Sequence, residues 1–151
     1  MQLEQPYSLR QAHRTDSRAI RALIRMVGIN PLGLDWRKFI IAVDEQGSLI
    51  GCGQIKTHKD GSLELASIAV RPGRTLQGVA TLIIRELLNS SKRPVYLTCR
   101  FGLNSFYEKF SFTQIPSEEM PPYFHLVATI AGWLFRKKLL SDGLLVMRLD
   151  K

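Results

Sequence analysis

Glycine, arginine and glutamine residues cluster where a short apolar run meets a segment with helical spacing. The run from Ile68 to Val70 is followed by a proline-glycine turn, and Gly78 opens a segment whose apolar residues recur every three to four positions. The first turn of a helix carries unpaired N–H groups and partial positive charge, so it binds phosphate without needing a particular side chain. Gly78 and Ala80 would let a ligand approach the backbone closely. The pattern indicates a phosphate or pyrophosphate site, with an ordinary glycine cap as the alternative.

Glu64 is the one carboxylate in the apolar run from Leu63 to Val70. A carboxylate in such a setting is suited to accept a proton from a substrate, directly or through water. The alternative is a glutamate that faces solvent at a sheet edge. The histidines have no partner at metal-site or triad spacing, so we predict no metal site. The residues expected to have only packing or surface roles are His13, His58, His125, Cys52 and Cys99.

Hydrophobic periodicity places these residues on an α+β framework. Helices are predicted at residues 20–27, 78–89, 104–110 and 127–135. Strands are predicted at residues 38–44, 49–58, 63–70, 95–99, 112–115 and 144–149. The strand-helix-strand unit from 63 to 99 predicts one parallel pair. We therefore predict a mixed, mostly antiparallel sheet flanked by helices, within a single domain spanning residues 1–151.

The stretch from Leu65 to Ala80, LASIAVRPGRTLQGVA, resembles the signature of the GNAT superfamily of N-acetyltransferases. That signature couples a strand of the form L-x-x-(I/L)-A-V-x-P to a pyrophosphate loop R/Q-x-x-G-x-G/A. The strand pattern is matched, and Gly78 and Ala80 occupy the last two positions of the loop. The resemblance implies a GNAT-like fold that binds the pyrophosphate of acetyl-CoA in this loop.

The loop departs from the signature at two positions. Thr75 stands where the family has arginine or glutamine, and Leu76 stands at a common glycine. Arg74 and Gln77 flank Thr75 and are candidates to supply the missing donors. The loop residues that the resemblance assigns to the cofactor are Arg74, Gln77, Gly78, Val79, Ala80 and Thr81.

A second motif, LNSFYEKFSF from Leu103 to Phe112, resembles the family's A-x-x-F-Y-x-K-x-G-F box. Tyr107 matches the tyrosine that family members place near the cofactor sulfur. The asparagine that often precedes it is Arg100 here, so Asn104 is the candidate substitute as a cofactor contact. Two motifs in the family's order extend the resemblance over nearly the whole chain.

The resemblance implies transfer of an acetyl group from acetyl-CoA to a primary amine by direct attack in a ternary complex. No metal and no covalent enzyme intermediate are then required. In the family two strands splay apart, and the free backbone of one pairs with the pantetheine arm. Here that strand carries Glu64, and it makes the Ile68 N–H the candidate oxyanion donor, with Ala69 and Val70 as further cofactor contacts. Glu64 corresponds to the general base of some members, and Tyr107 to the general acid for the departing thiolate.

The formal net charge of +8 indicates attraction to anions, and its sign alone does not choose among nucleic acid, an acidic membrane and a phosphorylated cofactor. The basic residues are scattered apart from 136–138, so we expect no nucleic-acid partner. No stretch reaches the roughly 18 apolar residues that span a bilayer, and the N-terminal residues do not resemble a signal peptide. We therefore predict a cytoplasmic protein without a transmembrane segment, as a monomer or homodimer.

Two other functions stay open at this point. The departure at Thr75 suggests a catalytically idle acyl-CoA-binding or regulatory module. The other is a basic membrane-surface or nucleic-acid-binding protein, because the segment from Tyr123 to Leu140, in which Trp133 precedes a basic cluster, has the apolar face and basic edge of an interfacial helix. In the family, segments here corresponding to Gly28–Trp36 and Pro116–Asp142 select the acceptor. They leave the amine undefined, as a small molecule or as a peptide or protein amine.

Overall fold

Seven strands and four α-helices make up the described part of the chain. The structure is a computed structural model that describes residues 5–139 and 143–151, so the ends of the predicted segments at Leu140 and Asp142 lie outside the described residues. The strands are β1 (Tyr7–Gln11), β2 (Phe39–Asp44), β3 (Leu49–Thr57), β4 (Leu63–Val70), β5 (Val95–Arg100), β6 (Thr113–Gln114) and β7 (Leu144–Leu149). The α-helices are α1 (Ser17–Val27), α2 (Val79–Asn89), α3 (Asn104–Glu108) and α4 (Pro122–Arg136).

The strands form one mixed sheet in the order β1-β2-β3-β4-β5-β7-β6. Strand β4 pairs in parallel with β5, Leu63 opposite Val95 and Glu64 opposite Tyr96. The pairs β1 with β2, β2 with β3, β5 with β7, and β6 with β7 are antiparallel. The prediction of a mixed, mostly antiparallel sheet with one parallel strand-helix-strand junction is therefore confirmed.

Internal contacts divide the chain into two compact units. The first unit consists of residues 1–56 and 65–91, and the second consists of residues 57–64 and 92–151. The first unit holds β1, β2, α1, α2, nearly all of β3 and most of β4. The second unit holds the start of β4, the strands β5 to β7, and the helices α3 and α4.

In the first unit, α1 packs on one face of the strands. Its buried residues Ile20, Leu23 and Ile24 share a core cluster with Phe39 and Cys52. These helix positions repeat at the spacing that the sequence predicts, which places one apolar stripe against the strands. Burial of this stripe holds α1 in place and fixes where the following loop begins.

Two glycines of β3 allow α2 to lie close to the strands in the first unit. A Cβ atom added to Gly53 would lie 2.5 Å from Ile68 Cδ1 and 2.9 Å from Ile83 Cγ2. One added to Gly51 would lie 2.6 Å from Val79 Cγ1, on the first residue of α2. Real Cβ atoms do not approach so closely, so only glycine fits at these two positions. The glycines therefore set the position of the N-terminal end of α2.

We expect Gly53→Ala to destabilise the protein by about 1–3 kcal/mol, because the added methyl group overpacks the contact with Ile68 and Ile83. Gly132→Ala is the matched control, since its Cβ would meet only an Arg136 nitrogen at 3.9 Å. Gly132 lies inside α4, so that alanine should stabilise by up to about 1 kcal/mol. Urea unfolding measures both changes. Equal changes in the free energy of unfolding, with the same sign in both variants, would contradict the close packing at Gly53.

In the second unit, α4 anchors one side of the strands through a single buried aromatic residue. Phe124 is fully buried and packs with Tyr96, Ile115 and Val146. The Tyr96 and Phe124 ring centroids lie 5.1 Å apart. This cluster holds the first turn of α4 against β5 and β7, and so fixes the residues that flank Phe124.

Candidate functional site

The turn between β4 and α2, in the first unit, is tied to the neighbouring strands by hydrogen bonds. The Arg71 N–H donates to the Ile50 carbonyl at 2.8 Å, and the Arg74 N–H donates to the Arg71 carbonyl at 3.0 Å. The Tyr7 hydroxyl donates to the Gln77 carbonyl at 3.0 Å. Tyr7 lies 70 positions away in the chain, so no local sequence signal marks its role. These bonds hold the turn in place before the helix begins.

Gly78 caps the N-terminus of α2 in a left-handed conformation, with φ 78° and ψ 6°. The Leu82 N–H donates to the Gly78 carbonyl at 3.1 Å, which starts the ladder of the helix. The N–H groups of the first turn, from Val79 to Thr81, therefore precede that ladder. Val79 is buried, whereas Ala80 and Thr81 are half-buried. This helix start has the backbone geometry and the partial positive charge of an anion-binding site.

The residues before Gly78 explain how the loop accommodates its departures from the signature. Leu76 has φ 65°, a conformation that favours glycine, and its side chain is fully exposed. The glycine conformation is therefore kept at this position although the residue is leucine. Arg74 is half-buried, and its Nε atom is buried without a hydrogen-bond partner among the described residues. A buried donor without a partner is costly, so an anionic group bound at Arg74 would satisfy it.

Strand β4 changes its backbone conformation just before the predicted pantetheine contacts. Ser67 has φ 59°, which interrupts the alternation of the strand, and its hydroxyl accepts a 2.9 Å hydrogen bond from Gln54 Nε2. After this interruption, Ala69 is buried while Ile68 and Val70 are half-buried. The three residues lead directly into the loop, so the first unit brings together nine of the predicted cofactor residues, Ile68 to Val70, Arg74 and Gln77 to Thr81.

Glu64 belongs to the second unit, where it is 7% exposed and pairs with a histidine. Its Oε2 atom lies 2.6 Å from His58 Nε2. The His58 ring stacks on Tyr123 with centroids 3.4 Å apart and meets the edge of Phe124 at 5.7 Å. Sequence analysis assigns His58 a packing or surface role, whereas the structure gives it a buried carboxylate partner. The sequence signal that predicts this pair is the tight turn between the two residues, because a histidine and a glutamate on either side of a hairpin turn lie close together.

Asp60 joins the turn that precedes β4 to the first turn of α4, all within the second unit. Its Oδ1 atom accepts hydrogen bonds from the Ser62 hydroxyl and N–H, and its Oδ2 atom accepts one from the Tyr123 N–H at 2.9 Å. These hydrogen bonds lower the pKa of Asp60 below its usual range. The largest effect comes from the Ser62 hydroxyl, followed by the two backbone N–H donors. The carboxylate therefore holds Tyr123 in place over His58.

Tyr107, on α3 of the second unit, packs between the rings of Phe106 and Phe112. Burial raises the pKa of its phenol to about 12, and the Cys99 thiol adds a smaller shift in the same direction. Its hydroxyl makes no hydrogen bond within the part of the chain that the structure describes. The Asn104 amide, on the same helix, donates to Glu108 Oε1 at 3.0 Å and is occupied in this way. A protonated phenol with a free O–H can act as an acid.

If Tyr107 has its predicted role as an acid, Tyr107→Phe should lower kcat by about 100-fold and leave cofactor binding unchanged, because only a proton donor is removed. Because the phenol pKa is raised, Tyr107 stays protonated throughout the neutral range, so its ionisation should not limit the rate below pH ~10. A pH series of initial rates measures both effects. Tyr96→Phe, a second buried tyrosine, is the control, and wild-type kcat in Tyr107→Phe would contradict the assignment.

A surface groove lies in each unit, lined by described residues. The groove of the first unit has a volume of about 390 Å³ and is lined by Arg21, Arg25, Pro31, Leu32, Gly33 and Leu34. The groove of the second unit has a volume of about 450 Å³ and a mostly apolar wall, lined by His58, Lys59, Asp60, Pro122, Tyr123 and Leu126. Both volumes lie in the range of small-molecule sites. The first groove is basic, whereas the second adjoins the Glu64 and His58 pair.

No group of three or more histidine, cysteine or acidic residues within the described ranges could hold a metal ion. Within the same ranges, no helix has both the length and the apolar character that crossing a membrane requires.

Comparison with known proteins gives one family. The family model of the acetyltransferase (GNAT) domain matches residues 35–114, which is more than half of the chain. This range contains the β4 turn, the start of α2 and Tyr107. No curated protein sequence matches the chain.

Solved structures show the same fold at low identity. The N-acetylglutamate synthase of Neisseria gonorrhoeae, complexed with coenzyme A and N-acetyl-glutamate, is 22% identical with a TM-score of 0.70. That match covers 96% of this chain and 35% of the synthase, so this chain spans about a third of the synthase. A Mycobacterium tuberculosis protein in complex with CoA and NLQ is 21% identical with a TM-score of 0.72, over 95% of this chain and 99% of that one. The ribosomal-protein-S18-alanine N-acetyltransferase of Escherichia coli is 15% identical with a TM-score of 0.67, over 95% and 93%.

Proposed function

The chain belongs to the GNAT acetyltransferase family, and from that premise we propose that it transfers an acetyl group from acetyl-CoA to a primary amine. The observation that carries the proposal is the helix start at Gly78, preceded by the unpaired buried Nε atom of Arg74. Both lie within the residues that the family model matches. Structural neighbours solved with CoA support an acyl-CoA donor.

The residues of the first unit would bind acetyl-CoA. Backbone N–H groups at the start of α2 would cradle the pyrophosphate, and the Arg74 guanidinium would replace the donor that Thr75 lacks. The backbone of Ile68 to Val70 would pair with the pantetheine arm, and the Ile68 N–H would stabilise the negative charge on the thioester oxygen. The exposed turn around Leu76 would lie at the phosphate end of the cofactor.

The residues of the second unit would move protons. The Glu64 and His58 pair would accept the proton that leaves the acceptor ammonium, and Tyr107 would supply a proton to the departing thiolate. The amine then attacks the thioester carbon directly, the C–N bond forms, the C–S bond breaks, and no acetyl group is carried by the enzyme. Since the ammonium enters and an amide leaves, one proton is released to solvent for each acetyl group transferred.

Initial-rate kinetics test this mechanism. Rates of CoA release are measured while acetyl-CoA and a primary amine are varied together. Direct attack in a ternary complex predicts double-reciprocal lines that intersect, whereas a covalent acetyl-enzyme predicts parallel lines. Tight binding of acetyl-CoA without turnover of any amine would favour the alternative of an idle acyl-CoA-binding module.

One observation favours a second candidate function, attachment to an anionic membrane surface. Leu126, Ile130 and Trp133 follow each other along one face of α4, and each is at least 50% exposed. A basic cluster at residues 136–138 follows at the end of the helix. Apolar side chains that face solvent beside basic residues are typical of helices that lie in a membrane interface.

Sedimentation with vesicles tests the membrane candidate. We expect binding to vesicles with anionic lipid, weaker binding at higher salt, and loss of binding in Trp133→Glu. Equal sedimentation of the wild type with anionic vesicles, with neutral vesicles and without vesicles would remove this candidate.

A further inference from the structure

The Glu64 and His58 pair fixes which nitrogen of the imidazole is available to a ligand. A carboxylate only accepts hydrogen bonds, so the 2.6 Å contact places the imidazole proton on Nε2, donated to Glu64 Oε2. In the neutral ring the lone pair then lies on Nδ1. Nδ1 makes no hydrogen bond within the described residues. Nδ1 of His58 is therefore free to accept a proton, while the Nε2–H of the same ring is hydrogen-bonded to Glu64 Oε2.

The groove of the second unit is lined by His58 itself and not by Glu64. Its wall is mostly apolar and is formed largely by Pro122, Tyr123 and Leu126. The carboxylate of Asp60, also in the wall, is already occupied by Ser62 and Tyr123. A ligand in this groove would therefore meet apolar surface and the His58 ring. This chemistry suits an apolar group that bears an amine.

We propose that this groove holds the acceptor, an amine that carries an aromatic or branched aliphatic group, and that His58 is the residue that takes the amine's proton. Glu64 acts through His58 as a positioning residue. The inference rests on the proposed acetyl transfer and deepens it, because it names the acceptor class and the atom that receives the proton.

The proton transfer balances without any further reactant. The acceptor ammonium gives one proton to His58 Nδ1, and the resulting imidazolium is stabilised by the Glu64 carboxylate at 2.6 Å. The free amine forms the C–N bond as the C–S bond breaks. Tyr107 gives its proton to the departing thiolate, and the second proton that leaves the nitrogen as the amide forms is released to solvent, from which the Tyr107 phenol is reprotonated. The imidazolium then releases its proton to solvent.

Charged groups lie around the His58 ring. Glu64 lies on the Nε2 side of the His58 ring, and the Tyr123 phenol ring covers its face. The Asp60 carboxylate, in the turn, interacts electrostatically with His58. Lys59 is the one cation in the groove wall. The charged groups that face the ring are therefore two carboxylates and one exposed lysine.

The first test replaces His58 and follows the pH dependence of the reaction. L-phenylalanine amide and L-leucine amide serve as acceptors. We expect His58→Gln to lower kcat by about 100-fold or more, to remove the acidic limb of the pH–rate profile, and to leave acetyl-CoA affinity unchanged. His125→Gln, on the exposed side of α4, is the matched control. A His58→Gln enzyme that keeps wild-type kcat and the same acidic limb would overturn the role of His58.

The second test places a charge in the groove wall. Leu126→Asp should raise the KM for L-phenylalanine amide about tenfold or more, with little change in kcat, because the apolar wall is lost. Ile130→Asp is the control, since Ile130 is similarly exposed one turn further along α4 and does not line the groove. Equal KM values in both variants, or faster turnover of L-glutamate than of the apolar amides, would overturn the groove as the acceptor site.

A binding measurement keeps this inference separate from the proposed function. L-phenylalanine amide is titrated into the wild type while the imidazole NMR signals of His58 are followed, with His58→Gln used for assignment. We expect those signals to shift on titration, and to shift less in Leu126→Asp. No turnover of any amine would refute the proposed function and the proton transfer together, whereas an unchanged His58 signal would refute the groove alone.

Discussion

Replacement of Gly78 by glutamate should weaken acetyl-CoA binding by at least about 100-fold. Gly78 is the N-cap of α2, so the new carboxylate would lie beside the first-turn N–H groups that we propose bind the pyrophosphate. Two like charges about 4 Å apart near a protein surface repel by about 4 kcal/mol, and solvent screening reduces this value. Calorimetric titration of acetyl-CoA into the purified variant measures the effect.

Gly78→Gln is the matched control for this experiment. Glutamine has the same size as glutamate and imposes the same strain at φ 78°, but it carries no charge. The space around the glycine is open, with only the Tyr7 hydroxyl within 4 Å of an added Cβ atom. We therefore expect Gly78→Gln to keep most of the affinity that Gly78→Glu loses. If both variants lost the same affinity for acetyl-CoA, backbone strain and not charge would be responsible. If both kept the wild-type affinity, the cofactor would bind elsewhere.

Glu64→Gln should lower kcat by about 100-fold to 10,000-fold with acetyl-CoA affinity unchanged. The variant keeps the size of the side chain, but the amide cannot stabilise an imidazolium. The amide N–H₂ can also donate to His58 Nε2, which would move the imidazole proton to Nδ1 and block the basic nitrogen. Steady-state rates at saturating acetyl-CoA measure the loss.

Glu108→Gln is the control for Glu64→Gln, because Glu108 is an exposed carboxylate on α3 whose contact is with Asn104. Thermal unfolding of both variants checks that the buried pair has not collapsed. A Glu64→Gln enzyme with wild-type kcat and wild-type stability would show that neither Glu64 nor a proton relay through it contributes to catalysis.

Most of the fold follows from periodicity and turn chemistry, because each predicted element has a regular apolar pattern. The predicted strand at 63–70 and helix at 78–89 agree with β4 and α2 to within one residue. Strand β1 was not predicted, since its five residues have no flanking turn signal and are stabilised by pairing with β2, far along the chain. The predicted strand at 112–115 is shorter, as β6 covers only Thr113 and Gln114. The single domain stays a prediction.

The helix start at Gly78 could be predicted from sequence because its signal is local, whereas its role in binding a cofactor stays a prediction. The conformation of Leu76 could not be predicted, since leucine rarely adopts φ 65° and only the surrounding loop imposes it. The pairing of His58 with Glu64 depends on a hairpin turn, and the stacking of Tyr123 on His58 brings together residues 65 positions apart in the chain. The stacking arises from tertiary structure, so spacing alone does not reveal it, whereas the turn is a local signal for the His58 and Glu64 pair.

The most direct test of acetyl transfer is identification of the product. The chain is incubated with acetyl-CoA carrying an isotopically labelled acetyl group and with a mixture of primary amines, and the amines are analysed by mass spectrometry. We expect the label to appear in an amide of at least one amine, in amounts equal to the CoA released, and to be absent with Gly78→Glu. Unlabelled amines in the presence of bound acetyl-CoA would contradict the account and leave a protein that binds the cofactor without using it.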